Sequence, residues 1–205
     1  MAQNRIATTY GYDVVLDDAT AMPAFITPAD IAQASGGRIA ATDPRLTAEC
    51  AAVSAAIRDY CNWHVAPQLT CIADTQVDTR IITLPAKFVD RIESIEVGDV
   101  ELATDAYEFK RNGMLRLGYH PQARGRWGAY TITYVAGIDV AATSLRAIAL
   151  QIALNDLTAT PGVRNESVGQ VSVSYNQATE GVAGGVSLME RDKAMLEGDR
   201  IRARA

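Results

Sequence analysis

Two histidines and three cysteines are the whole stock of strong metal-ligating side chains in this chain. Only Cys61-x-x-His64 places two of them on neighbouring helical turns. A structural zinc needs four ligands, and no second Cys/His pair supplies the other two, so the pair reads as a buried thiol beside a histidine at a helix end. No metal and no cofactor are expected. The acids Asp17-Asp18 and the series Glu93, Glu96, Glu101 can be drawn as paired carboxylates, but solvated strand and turn positions explain them without a site. The chain has no G-x-G-x-x-G, no phosphate-loop G-x-x-x-x-G-K-[ST], no G-x-S-x-G and no H-E-x-x-H. Convergent acid, base and nucleophile are missing, which argues against an enzyme.

Two groups of cations remain. Between Glu108 and Asp139 stand Lys110, Arg111, Arg116, Arg124 and Arg126 without an acid, with Tyr119, His120 and Trp127 among them. Arginine beside aromatic rings suits contact with a nucleic-acid backbone, but an ordinary sheet face and loop, or a surface that meets an acidic protein partner, accounts for the stretch more readily. At the C-terminus, Arg200, Arg202 and Arg204 complement a helix macrodipole, or belong to a docking helix that presents Leu188, Met189, Met195 and Leu196 to a groove.

The whole chain gives no general basic field. Its 205 residues carry a net charge of −5 with a pI near 5.0, and 48% are apolar, enough to bury a core in one compact body. No apolar run approaches the roughly 20 residues that span a bilayer, and the N-terminus lacks a signal core, so a soluble protein made in a cytoplasm is expected. Cys50 and Cys61 would lie about 16 Å apart along one helix, too far for a bridge. All three cysteines, Cys71 included, read as free thiols.

The elements that position these residues follow from periodicity. Residues 1–25 show no helical period, although Tyr10 to Leu16 can make a short strand, and they read as an N-terminal arm. Thr27-Pro28-Ala29-Asp30 has a capping hydroxyl, a proline at the first helical position and an acid in the first turn, and Gly36-Gly37 stops that helix. Asp43-Pro44 opens a second helix, in which Leu46, Cys50, Val53, Ile57, Tyr60 and Cys61 share a face; it should end near His64. From Leu69 to Ile138 the period falls to two, with β-rich runs around an Asn112-Gly113 hairpin signal, which predicts a small, mostly antiparallel sheet.

Thr143 or Ser144 caps a third helix with Leu145, Ile148, Ala149, Ile152 and Ala153 on one face, closed by Pro161-Gly162. Alternation from Val171 through Val173 to Tyr175 predicts an exposed strand or hairpin arm. Gly181 to Gly185 reads as a joint, and Ser187 as the cap of a last helix. The expected fold is therefore α+β: a small helical bundle with a mostly antiparallel sheet, a projecting strand arm and a C-terminal helix. The expected divisions are 1–25, 26–160, 161–186 and 187–205.

The order of these pieces resembles the head-tail connector, or adaptor, proteins of tailed bacteriophages, from about Ile26 to the C-terminus. Leu84-Pro85-Ala86-Lys87-Phe88-Val89-Asp90-Arg91-Ile92-Glu93-Ser94-Ile95 is similar to that family's L-P-x-x-P-V-x-x-I-x-S-[IV] segment, with Phe88 in place of the second proline. Tyr107-Glu108-Phe109 and Tyr134-Val135-Ala136-Gly137 resemble its Y-x-[VF] and Y-x-A-G segments. Glu166-Ser167-Val168-Gly169 with Val171 to Tyr175 resembles its E-S-I-G-x-x-S-V-x-Y arm.

The resemblance implies a homo-oligomeric ring, docked to the twelve-fold portal protein, that surrounds double-stranded DNA without reading its sequence. It places the C-terminal helix (Leu188, Met189, Met195, Leu196, Arg200, Arg202) toward the portal and a stopper or tail-completion protein on the far face. It also implies a place in the virion neck, reached from the host cytoplasm, with no membrane. Heterologous interfaces that close make such a ring, and the arm carrying Val171, Val173 and Tyr175 can extend a neighbour's sheet. Two alternatives stay open: another neck or tail ring component, and a small host binding module that uses the basic aromatic loop 110–127.

Overall fold

The computed structural model describes residues 4–17, 21–77, 80–98, 100–118, 128–140, 144–158, 165–168, 171–174 and 186–202. The fold is α+β, as the periodicity predicts. The chain divides into two compact units: one comprises Met1–Pro23, Arg58–Thr143 and Glu197–Ala205, the other Ala24–Ile57 and Ser144–Leu196.

The first unit holds both larger sheets. Strands β1 (Asn4–Ala7), β2 (Asp13–Leu16), β3 (Leu69–Val77), β5 (Val89–Val97), β6 (Val100–Glu101) and β9 (Gly128–Ala136) form an antiparallel sheet in the order β1-β2-β3-β9-β5-β6. Strands β4 (Ile81–Thr83), β7 (Tyr107–Phe109) and β8 (Met114–Leu117) form a second sheet in the order β4-β8-β7. The β-rich middle thus makes two sheets where one was expected.

The Leu84 N–H extends the β4–β8 pairing by donating to Gly113 at 2.8 Å, and the Val89 N–H of β5 ties the two sheets together by donating to Arg111 at 2.7 Å. Gly113 closes the predicted Asn112-Gly113 hairpin with φ +82°, and a Cβ there would lie 2.4 Å from the Ala86 carbonyl oxygen, so only glycine fits.

Residues 4–16, read as part of an arm, are two strands of the six-stranded sheet. Alternation within β2 places Val14 and Leu16 in the core, where Tyr12 joins them, and β2 pairs with β3 from Asp13↔Ile72 to Val15↔Thr70. Four-residue strands are too short to carry a clear period, which is why composition alone showed no more than a short strand.

The second unit is helical. Helix α1 (Pro28–Ala34) starts as expected: the Thr27 hydroxyl accepts from the Asp30 N–H, and the Asp30 carboxylate accepts from the Thr27 N–H at 2.8 Å. Helix α2 (Arg45–Cys61) buries Leu46, Cys50, Val53 and Ile57 along its predicted face; its last turn, Arg58 to Cys61, belongs to the first unit. Helix α3 (Leu145–Thr158) buries the five residues that define its face and packs on α1 and on α4 (Glu190–Leu196), and Arg146 pairs with Asp30.

Helix α4 starts two residues later than the Ser187 cap implies. Asp192, almost fully buried, accepts from the Met189 N–H at 3.0 Å and makes Met189 the capping residue. Strands β10 (Asn165–Val168) and β11 (Val171–Ser174) pair as a separate two-stranded hairpin, in register from Asn165↔Ser174 to Val168↔Val171.

Candidate interaction surfaces

Among the described residues, the histidine and the cysteines of the first unit are taken up by the fold. His64 is fully buried, and its Nε2 lies 2.9 Å from the Ala136 carbonyl, so that nitrogen must carry the proton and donate it. Nδ1 then accepts from the Tyr12 hydroxyl at 2.7 Å, and the same hydroxyl accepts from the His64 N–H at 2.9 Å. Both ring nitrogens are engaged, which leaves no lone pair for a metal. Burial, with the Arg58 charge adding to it, pushes the imidazole down to about 4. Burial pushes the Cys61 and Cys71 thiols up to about 12, where little reactive thiolate exists. The three cysteines are buried and unbridged.

These shifts set a pH dependence. His64 has a folded value below its unfolded one, so its contribution is complete above about pH 6.5 and is lost as the pH falls toward 4, on the order of 3 kcal/mol. In the second unit, burial and then the neighbouring Asp156 carboxyl raise the half-buried Glu49 to about 7. That sign is opposite: stability falls as the pH rises from about 4.5 through 7. Replacing Glu49 by Gln is expected to leave urea stability at pH 5 nearly unchanged and to raise it at pH 8. An equal shift at both pH values would contradict this.

Arg58 is the polar centre of the first unit, at 4% exposure. Its guanidinium donates to the carbonyls of His64 at 3.0 Å, Ala66 at 2.8 Å and Pro23 at 2.6 Å. It secures a tight loop in which Asn62 and Val65 both hold φ +60°, a conformation that costs free energy for a β-branched valine. Neither Arg58 nor the buried Ser54 was foreseen. Their signal was present as Cys50, Ser54 and Arg58 at steps of four, polar groups running down the buried side of α2.

The C-terminal segment after α4 is fastened to the first unit. The Trp63 indole donates to the Asp199 carbonyl at 2.6 Å, Asn62 to the Ile201 carbonyl at 2.9 Å, and the Ile201 N–H to the Cys61 carbonyl at 2.8 Å. The Tyr60 hydroxyl donates to Glu197 at 2.9 Å, Lys87 reaches the Gly198 carbonyl, and Arg200 lies 4.8 Å over the Tyr60 ring. Arg200 and Arg202 both pair with Glu197. Of the apolar residues expected on the docking helix, Leu188 and Met189 precede α4 and are half-buried, Leu196 is buried, and Met195 stands 56% exposed.

The basic stretch is only partly described, since Tyr119, His120, Arg124, Arg126 and Trp127 lie outside the described residues, as do Tyr175 and Arg204. Its described part surrounds a groove of about 440 Å³ on the three-stranded sheet, lined by Ile81, Glu108, Phe109, Lys110, Met114 and Arg116. Met114 and Arg116 face outward while Leu115 and Leu117 enter the core, which is the alternation of a strand with one wet face. Arg116 sits 3.9 Å from Glu108, and Arg111 covers the Phe88 ring at 5.7 Å. Phe88, which replaces the expected second proline, therefore has a cation to hold. In the arm, the Val171 and Val173 backbones pair with Val168 and Glu166.

No helix among the described residues is long and apolar enough to cross a membrane. A family model described as head completion protein matches residues 24–154, well over half of the chain. Nothing among curated proteins matches the chain.

Proposed function

The chain belongs to the head completion protein family, a structural family of tailed bacteriophages, and on that premise we propose that it closes the head as a ring on the portal. Its part in phage head completion and its place in the virion follow from the family. Beyond the family, the reading is a ring of identical subunits, twelve to match the portal, around the DNA channel, with a stopper or tail-completion protein received on the far face. Assembly takes place in the host cytoplasm. The observation that carries this reading is the match over residues 24–154, which takes in α1, α2, most of α3 and every strand from β3 to β9.

The portal contact is assigned to the segment around α4, where Met195 is a large apolar side chain left open on a short helix. The β10–β11 hairpin is assigned to a neighbouring subunit. An acidic chain also suits a channel through which DNA must slide without sticking.

Removing the chain from Ser187 onward is a poor test, because it strips Glu197 to Arg202 from the first unit. Met195→Asp is cleaner. The side chain is exposed, so stability should stay within about 0.5 kcal/mol, while co-sedimentation with portal-bearing heads should fall at least about tenfold. Unchanged co-sedimentation would remove α4 from the portal contact.

A further inference from the structure

Among the described residues, five large apolar side chains are exposed: Ile81, Val100, Phe109, Met114 and Met195. Ile81, Phe109 and Met114 line the groove on the three-stranded sheet, whose rim carries Lys110 and Arg116 against one acid, Glu108. Val100 does not line that groove. It lies on β6, the two-residue edge strand of the six-stranded sheet, at the end of the β5–β6 hairpin.

That hairpin end has an electrostatic defect. Register places Glu96 directly opposite Glu101, and across β9 the same row continues through Thr131 to Asp74. Like charges facing each other across a strand pair oppose the pairing, and among the described residues neither glutamate makes an ion pair. A cationic partner would relieve them. An edge strand also presents unpaired backbone groups, and 43% exposure at Val100 adds an apolar contact.

Val100 and Glu101 are neighbours on β6 and point to opposite faces of the sheet, with Glu96 beside Glu101. Taken edge-on, the hairpin end thus brings an apolar side chain and an acidic pair to a groove with apolar walls and a basic rim. We propose that the β5–β6 hairpin end of one copy of this chain docks in the β4–β8–β7 groove of the next. Val100 meets Ile81, Phe109 and Met114, and Glu96 and Glu101 meet Lys110 and Arg116. Because the two patches differ, the contact is heterologous and runs head to tail, the kind that closes into rings. It supplies a self-contact for the ring proposed above and in that sense rests on that reading.

Paired charge reversals test it in the full-length chain. K110E/R116E makes groove and hairpin end both acidic, and E96K/E101K makes both basic. Sedimentation velocity at low salt should show concentration-dependent association of the wild type, weakened by salt, and at least about tenfold weaker association of each variant alone. Mixing the two variants restores opposite charges at every contact and should restore association.

A wild type that stays monomeric up to about 1 mM, variants that associate like the wild type, or a mixture that stays dissociated would each overturn the proposal. So would variants that self-associate normally but block attachment of a later neck component, since the groove would then serve that protein. Binding of the wild type to portal-bearing heads is measured separately. Its loss would count against the head-completion reading, whereas normal binding by both variants would count against this interface alone.

Discussion

Arg58→Met is expected to lower the stability of the protein by about 3–5 kcal/mol in urea titration, enough to threaten the fold of a typical domain. The guanidinium is buried and donates to three carbonyls, those of Pro23, His64 and Ala66. Methionine has similar length and packs well, but it leaves those acceptors without donors in a place where water is excluded. The desolvation of Arg58 pushes its own value down to about 10, so it still carries its charge at neutral pH. Arg58→Lys retains the charge but not the planar fork, and should fall between wild type and Arg58→Met. A methionine variant within about 1 kcal/mol of wild type would show that the loop from Asn62 to Pro67 finds its conformation without the arginine.

Gly137→Ala should cost on the order of 3 kcal/mol or leave the chain insoluble. A Cβ at position 137 would lie 2.3 Å from the Pro67 carbonyl oxygen and 2.9 Å from His64 Nε2, and φ there is +119°. Backbone must move to admit it, and the movement breaks the His64 bond to Ala136. Gly36 provides the comparison: its φ is +67° and a Cβ there meets nothing within 4 Å, so Gly36→Ala bears backbone strain alone, about 1 kcal/mol. Equal losses at the two sites would mean that contact with Pro67 and His64 is not what excludes a side chain at 137. Since Arg58 and Gly137 act on the same loop, their combined loss should be smaller than the sum.

Local chemistry was legible where one short motif decides the structure. The capping box at Thr27 and Asp30, the buried faces of α2 and α3, and the turn at Gly113 each depend on residues within four positions of one another. Long-range partners were not legible. Tyr12 meets His64 across 52 residues and Tyr60 meets Glu197 across 137, and neither spacing leaves a periodic trace.

The surface suffered from the same limit. The basic stretch stood out as a run of charge, but the sequence could not show that Arg111 lies over Phe88 while Lys110 and Arg116 border an apolar groove. Likewise, Leu188, Met189, Met195 and Leu196 share one side of an ideal helix. Asp192 starts α4 at Glu190, so the first two fall outside it.

The most direct measurement mixes the purified full-length chain with portal-bearing heads and examines the particles by electron microscopy after sedimentation. A closed ring of this chain seated on the portal, with the symmetry of that portal, is the predicted result. Particles that sediment without the chain, or that carry it elsewhere with no ring density at the portal, would contradict the account.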